Sequence, residues 1–491
     1  MSLTEQEIVR REKLSKLREK INPYPERYEI THELFQAREL GDGEKGIRVA
    51  GRIVLLRKMG KLTFIVIRDV KADLQVLIKS DVVGEDKHTF FKSYFDIGDF
   101  MGVEGETFTT KTGEKTIRAD DFVFLGKALK PLPEKFHGLA DAELRGRYRY
   151  VDLIVNEDSR RNFLLKFEFI KQLRRYLEDL GYIEIETPVL NNIHSGALAR
   201  PFKTYHNTLK MELYLRIAPE TYLKRAVVGG FNKVFEVARC FRNEGIGPNH
   251  LQDFTMVEGY GAYLNYKDNM KLMQEMLTAV INKVFGSTTI DIKDRQIDLL
   301  GEWPIVTFRG LILKYANIDI DEYNTREKLI TKIKQAKIEL ESETPIDVLG
   351  FGNLVDLLYK KVARPKIINP TFLTEHPTEV SPLARANDNN PNVTDRFQLI
   401  INGAEIVNAY SELVDPIEQR KRLEAQAQLN KEGDEEAMVM DNDYINAMEY
   451  GMPPISGWGM GIDRIIQILT NSDNIKDCVL FPLLKPEDKT D

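Results

Sequence analysis

Cysteine is nearly absent. Only Cys240 and Cys478 occur in 491 residues, far apart and with no CxxC pair. That excludes a disulfide framework and a cysteine zinc site. Long apolar runs are also missing: no stretch of about 18 apolar residues occurs, so no membrane span is expected. The opening MSLTEQEIVRREKL is polar and lacks the apolar core of a secretory signal. A reducing cytoplasm is the expected setting. Nor is there an excess of positive charge. The 69 Lys and Arg against 76 Asp and Glu leave a net charge of -7, which argues against a basic coat but leaves room for a local basic face that holds RNA. No internal repeat or low-complexity block stands out. The length suits about two to four domains with a large core.

What is present changes in texture along the chain. Residues 4–20 read as a polar helix ending near Asn22-Pro23-Tyr24-Pro25. Its Arg10, Arg11, Lys13, Lys16 and Lys20 could touch RNA, although a solvated helix is the simpler reading. From 46 to 126, short β-rich runs such as KLTFIVIRDV and ADLQVLIKS alternate with turn residues, the pattern of a small barrel or sandwich. Residues 130–161 form a basic connector. From 162 to 180, Phe163, Phe167, Ile170, Leu173, Leu177 and Leu180 recur at spacings of three and four, which predicts one apolar helical stripe. Gly181 suits its end, and a strand, IEIET, and Pro188 follow. Residues 213–217, 233–241 and 253–262 read as strands. The stretch from about 285 to 370 mixes helical and irregular runs and reads as an insertion.

Two segments carry the chemistry. FRNEGIGPNHLQDFTMVE (241–258) sets Arg242, Glu244, His250 and Phe254 around a Gly-rich turn between strand-like runs, and GWGMGIDR (457–464) places Arg464 after a glycine-rich stretch. Neither looks like a Walker loop or a Rossmann turn, yet each part suits ATP. Arginine offers a planar donor fork for phosphate, phenylalanine a face for a purine, and glycine a close backbone approach. Strand parity puts Phe254, Met256, Glu258 and Tyr260 on one face, and Glu236, Ala238, Cys240 and Arg242 on another. A charged residue on such strands needs a partner or a ligand; for Glu258 the plain structural alternative is an ion pair with Arg242. Farther on, Asn402-Gly403 between apolar runs predicts a two-residue hairpin, pairing Ile401 with Ala404 and Gln398 with Val407. Gln398 and Glu405 then share one face, and Asn408, Tyr410 and Glu412 the other. All can reach one site only if the strand bulges between Glu405 and Asn408, and such a bulge is expected.

These two segments resemble the second and third motifs of class II aminoacyl-tRNA synthetases. The helix, strand and Pro188 resemble the first motif, which implies a homodimer through about 161–190. The strand order at 46–126 resembles the anticodon-binding OB-fold of the lysyl, aspartyl and asparaginyl enzymes. The likeness to class II lysyl enzymes of the bacterial and eukaryotic type runs nearly the whole chain, through RPFKTYHN (201–208), YLRIAPETYLKR (214–225), HPTEVSPLAR (376–385) and EIVNAYSEL (405–413). It implies an α+β fold: an N-terminal helical extension (1–45), an OB-fold anticodon-binding domain (46–140), a connector (141–160) and a catalytic domain (161–491) built on an antiparallel sheet flanked by helices.

The resemblance also implies a reaction, the ATP-dependent charging of lysine tRNA. Arg242 would bridge the amino acid carboxylate and the α-phosphate. Glu244 would read the adenine edge, with Phe254 and Arg464 covering its faces and His250 near the terminal phosphates. Glu220 and Glu258 would hold the α-amino group, Glu412 with Tyr260 the ε-ammonium, Asn408 the carboxylate, and Tyr410 the alkyl chain. Glu405 would hold Mg2+. The family usually has glutamate where this chain has Gln398, a neutral and weaker ligand for a hard cation, so an altered magnesium demand is expected. Ser195-Gly196-Ala197 stands for the usual Gly-Gly-Ala, and His-Leu-Gln-Asp-Phe for His-Asn-Pro-Glu-Phe; neither removes a charge the scheme uses. Phe64 and Gln75 match positions that stack on and read a uridine-rich anticodon, although an isolated strand Phe is more simply core. A lysylating paralogue acting on a protein and an inactive RNA-binding paralogue are the competing readings. Nothing indicates an editing domain.

Overall fold

The computed structural model describes residues 3–133, 139, 141–245, 247, 250–292, 295–340, 346, 349–431 and 437–486. The chain forms two compact units, one of residues 1–141 and 150–160, the other of 142–149 and 161–491. The stretch read as a connector is thus divided between them.

In the first unit, β1 (Ile47–Met59), β2 (Leu62–Arg68), β3 (Asp73–Lys79), β4 (Phe100–Thr109) and β5 (Lys115–Gly126) close into a barrel in the order β1-β2-β3-β5-β4. Period-two alternation turns Ile65 and Ile67 into the core while Phe64 faces outward, half-buried. The core reading of Phe64 is therefore wrong for this chain. Gln75 also faces outward and donates to Thr116 Oγ1 at 2.9 Å. The helix Glu85–Tyr94 between β3 and β4 fills one end of the barrel. Its Phe91 stacks on Phe95 at 4.5 Å between ring centroids, and Phe95 meets Phe124 at 4.7 Å.

The N-terminal helix, Glu5–Arg18, starts at a Thr4–Glu7 capping box. It is not simply solvated. Leu14 and Leu17 are buried, Arg10 donates to the carbonyls of Ile97 and Ala128, and Lys13 pairs with Asp96 at 2.6 Å. Arg10 and Lys13 are thereby committed to the barrel, while Lys16 and Lys20 stay exposed.

The second unit contains β6 (Ile183–Glu184), β7 (Leu190–Asn191), β8 (Lys203–His206), β9 (Met211–Leu215), β10 (Lys233–Phe241), β11 (Asp253–Ala262), β12 (Thr289–Ile292), β13 (Arg295–Asp298), β14 (Ile305–Thr307), β15 (Thr371–Thr374), β16 (Arg396–Ile401), β17 (Ala404–Ser411) and β18 (Ile455–Gly461). Its main sheet runs β14-β15-β16-β17-β18-β11-β10-β6. The inner pairs are antiparallel, and the two edge pairs, β14–β15 and β10–β6, are parallel. One face packs on helices Glu157–Asp179, Tyr266–Phe285 and Ile462–Leu469 through residues such as Leu173, Met276, Ile466 and Trp458.

Three expectations need correction here. The apolar stripe of the helix Glu157–Asp179 is narrower than the spacing indicates: Phe169, Leu173 and Leu177 enter the core at i, i+4 and i+8, whereas Phe167 is 49% and Leu180 41% exposed. The 285–370 segment is more than a helical insertion. Its β14 is an edge strand of the main sheet, and its helices build a core of Phe308, Leu311, Leu354 and Leu358 against Leu373 and Ile400. Lastly, Gln398 pairs with Asn408, not Val407. Asn402 (φ 50°) and Gly403 (φ 72°) make the tight turn, in which both central residues need positive φ. Ile401 pairs with Ala404 and Ile400 with Glu405, and then the register shifts so that Leu399 meets Val407. The extra residue is Ile406, inside the window where a bulge is needed.

Candidate active site

The open face of the main sheet holds a cleft of about 320 Å³. Its floor follows from strand register. Across the sheet, Gln398, Asn408, Gly459, Glu258 and Glu236 form one row of direct partners. The next row runs Arg396, Tyr410, Gly457 and Tyr260. In β18 the glycines at 457 and 459 fall on the cleft face, while Trp458 and Met460 alternate into the core. A Cβ on Gly457 would lie 2.5 Å from Glu412 Oε1 and against the Tyr260 ring. The glycine-rich run is therefore a trough between the acids of β11 and the polar residues of β17. The bulge at Ile406 brings Glu405, Asn408 and Tyr410 into the same lining.

At one end lie the cations. Arg242 leaves β10 with its backbone N–H on Gln252 O at 2.8 Å, its guanidinium is 5.0 Å from the Phe254 ring centroid, and its buried Nε has no hydrogen-bond partner among the described residues. Arg464, in the first turn of the helix Ile462–Leu469, donates to Glu405 O at 2.9 Å. Burial holds its basicity below that of a free arginine, with Arg242 acting in the same sense and Glu405 opposing. Glu244 and His250 line the same end; positions 246, 248 and 249 of the motif loop lie outside the described residues. Asp463 ties this end together. It accepts from the Thr255 backbone N–H at 2.7 Å and pairs with Lys166.

At the other end lie the acids. Glu220 opens the helix Glu220–Val228 and accepts from Tyr410 Oη at 2.7 Å and Lys224 Nζ at 2.5 Å. Glu258 accepts from Tyr260 Oη at 3.1 Å, and no ion pair joins it to Arg242 among the described residues. The ion-pair alternative thus does not apply. Glu258 sits directly opposite Glu236, an unfavourable pairing for like charges. Arg216 relieves it by pairing with Glu236 at 2.6 Å. Burial, with Glu220 nearby, pushes the Glu258 carboxyl up to about 8.

Not every expected residue fronts the cleft. Glu412 is 1% exposed, lies against the cleft face of Gly457 without joining the lining, and forms an ion pair with Lys224. Tyr410 gives its hydroxyl to Glu220, and Tyr260 gives its own to Glu258 rather than to Glu412. Asn408 Oδ1 accepts from Arg396 Nε at 2.8 Å, and Gln398 Nε2 donates to Glu405 Oε2 at 2.8 Å. Phe64 and Gln75 belong to the barrel of the first unit. Sequence reasoning missed Lys224, Arg396 and Asp463. Lys224 was findable, since Glu220 and Lys224 are spaced i, i+4 on one helix. Arg396 and Asp463 reach partners through the fold and carried no local signal.

The comparisons agree with this geometry. Residues 141–485 match the family described as tRNA synthetases class II (D, K and N), and 47–125 match the OB-fold nucleic acid binding domain. The chain is 46% identical over 486 residues to the lysine–tRNA ligase of Pelotomaculum thermopropionicum, covering 98% of this chain and 95% of that protein. It is 43% identical over 493 residues to the lysine–tRNA ligase of Bacillus cereus, covering 98% of each. With the sheet, the glycine trough and the two arginines in place, the chain belongs to the class II tRNA synthetases of the aspartate, lysine and asparagine group.

Proposed function

We infer that this chain is a lysine–tRNA ligase. It joins the lysine carboxylate to the α-phosphate of ATP with loss of pyrophosphate, then passes lysine to the terminal ribose hydroxyl of lysine tRNA with loss of AMP. One observation carries this: Arg242 and Arg464 share a cleft with Glu220 and Glu258. The nucleophile is already an anion, so no general base is needed, and catalysis comes from positioning and from stabilising charge on phosphorus. Arg242 spans the carboxylate and the α-phosphate, and its unpartnered Nε is free for that task. Phe254 and Arg464 sandwich adenine, Glu244 reads its edge, and His250 meets the terminal phosphates. Glu220 and Glu258 take the α-ammonium. Asn408 orients the carboxylate, and Tyr410 flanks the alkyl chain. Glu412, with Tyr260, draws the ε-ammonium toward Gly457.

Magnesium fits as a companion of ATP. Among the described residues no cluster of three or more His, Cys, Asp or Glu could cage a metal. Gln398 turns its N–H to Glu405, so of this pair Glu405 alone would hold the cation through a carboxylate. A hard cation that arrives with ATP suits that set, and it would supply charge neutralisation for the leaving pyrophosphate.

The barrel, residues 46–140, takes the anticodon through outward-facing Phe64 and Gln75. The catalytic domain, 161–491, pairs with a second copy through the 161–190 segment, where exposed Phe167, Leu180 and Ile183 would find cover. The setting is cytoplasmic, in keeping with the lack, among the described residues, of any helix long and apolar enough to cross a membrane.

Lysine-dependent ATP–pyrophosphate exchange, followed by charging of a tRNA with the UUU anticodon, tests this. Both reactions are expected. Exchange without charging of any tRNA points to a lysylating paralogue, and loss of both points to an inactive RNA binder.

A further inference from the structure

Lys224 has no role in the scheme above, yet its ammonium stands at the centre of the acidic end. It is fully buried, lies 2.5 Å from Glu220 Oε1 and also pairs with Glu412. The groups facing it come from every element packed around it. Glu220 lies on its own helix, Glu412 just past β17, Tyr260 on β11, Tyr410 on β17 and Tyr444 on the helix Asn442–Glu449. The three tyrosine rings stand 5.6–5.9 Å from Nζ. An ammonium among carboxylates and aromatic faces is the environment a substrate ammonium would seek. Here the protein supplies that ammonium itself.

We propose that Lys224 is a resident countercharge that sets the charge specificity of the pocket, a reading that rests on lysine being the substrate. Glu220, Glu258 and Glu412 carry three negative charges when ionised, against one positive charge on Lys224 and one on Arg242. Once the arriving ammonium has ionised Glu258, these five groups sum to one negative charge, and lysine, with two ammonium groups and one carboxylate, brings the matching positive charge. An amino acid with an uncharged side chain would leave one of these acids without a positive partner, so that it either carries a buried uncompensated charge, which a low-dielectric site penalises heavily, or keeps its proton and loses its hold on the substrate. Lys224 also holds Glu220 and Glu412 turned toward the same point before substrate arrives. The paired carboxylates in turn hold the Lys224 ammonium in its charged form against the opposing effect of burial. Lys224 is thus a positioning residue that acts through Glu220 and Glu412.

The test uses the full chain and lysine-dependent pyrophosphate exchange. Lys224→Met keeps the volume and removes the charge. The expected result is a lysine KM raised at least tenfold with the ATP KM and kcat nearly unchanged, and a smaller preference for lysine over norleucine. Lys224→Arg, which keeps the charge, should recover most of the loss. In Lys224→Ala, ethylammonium should restore lysine use and propanol should not. Equal rescue by propanol, or a wild-type lysine KM in Lys224→Met, overturns the proposal and leaves the ligase reading intact. Wild-type chain without lysine-dependent exchange overturns the ligase reading itself. Should the charge-removing variants fail to fold, the wild-type chain labelled with 15N at lysine Nζ answers the same question. The protected Lys224 ammonium signal should move when unlabelled lysine binds, and an unmoved signal overturns the proposal.

Discussion

At the residue scale the cleft divides its work between guanidinium and carboxylate. On the proposed reading Arg242 provides a planar fork that holds a carboxylate and a phosphate together, which lysine, as a point charge, cannot copy. Arg242→Lys is expected to slow exchange by about a hundredfold to a thousandfold, the scale for removing one preorganised donor, with the melting temperature preserved. Glu258 makes a second prediction. Burial, with Glu220 nearby, pushes its carboxyl up to about 8, which favours the protonated form at neutral pH. An arriving ammonium favours the ionised form and expels that proton. Lysine binding should therefore tighten as pH rises toward about 8, and calorimetry in buffers of different ionisation heat should find about one proton released per lysine near neutral pH. Glu258→Gln should abolish the release; a wild-type chain that binds lysine without releasing protons contradicts the assignment. Gln398 makes a third. Gln398→Glu adds a second carboxylate beside Glu405, and its exchange activity should saturate at lower magnesium than wild type. An unchanged titration would dismiss the idea that Gln398 alters magnesium demand.

At the element scale the site is a consequence of register. The tight turn at Asn402-Gly403 and the bulge at Ile406 bring Glu405, Asn408 and Tyr410 to one face, and the alternation in β18 leaves glycine on the cleft floor. Gly457→Ala should be costly in a specific way. The new methyl meets Glu412 Oε1 and the Tyr260 ring, an overpacking worth about 1–3 kcal/mol. The melting temperature should fall and the lysine KM rise while the ATP KM holds; a rise in the ATP KM alone would contradict the placement of lysine over Gly457. Much of this was legible in the chain. Residues 233–241 and 253–262 form the strands their patterns indicate, and the bulge follows from needing several polar side chains on one face. What was not legible depends on distant partners. Phe167 and Phe169 look equivalent in a spacing count, and only packing decides that Phe169 is core. Lys224 meets Glu412 across 188 residues, and Asp463 meets Lys166 across 297. The edge strand β14 is three residues long, too short to show a period.

At the scale of the whole molecule, the OB-fold barrel and the cleft proposed to activate lysine belong to separate compact units. Phe64→Ala should raise the tRNA concentration needed for charging and leave lysine-dependent exchange untouched, because Phe64 faces outward from the barrel and supports none of its core. Equal loss of both activities would mean that Phe64 supports folding instead. The central claim is that one cleft grips a nucleotide with Arg242 and Arg464 while its acids neutralise both nitrogens of lysine. A crystal structure of the chain with a non-hydrolysable lysyl-adenylate analogue tests it most directly. The account predicts the Arg242 guanidinium on the α-phosphate mimic, adenine between Phe254 and Arg464, the α-ammonium on Glu220 and Glu258, and the ε-ammonium drawn to Glu412 past Gly457. An analogue bound elsewhere, or bound with its side-chain ammonium away from Glu412, would contradict it.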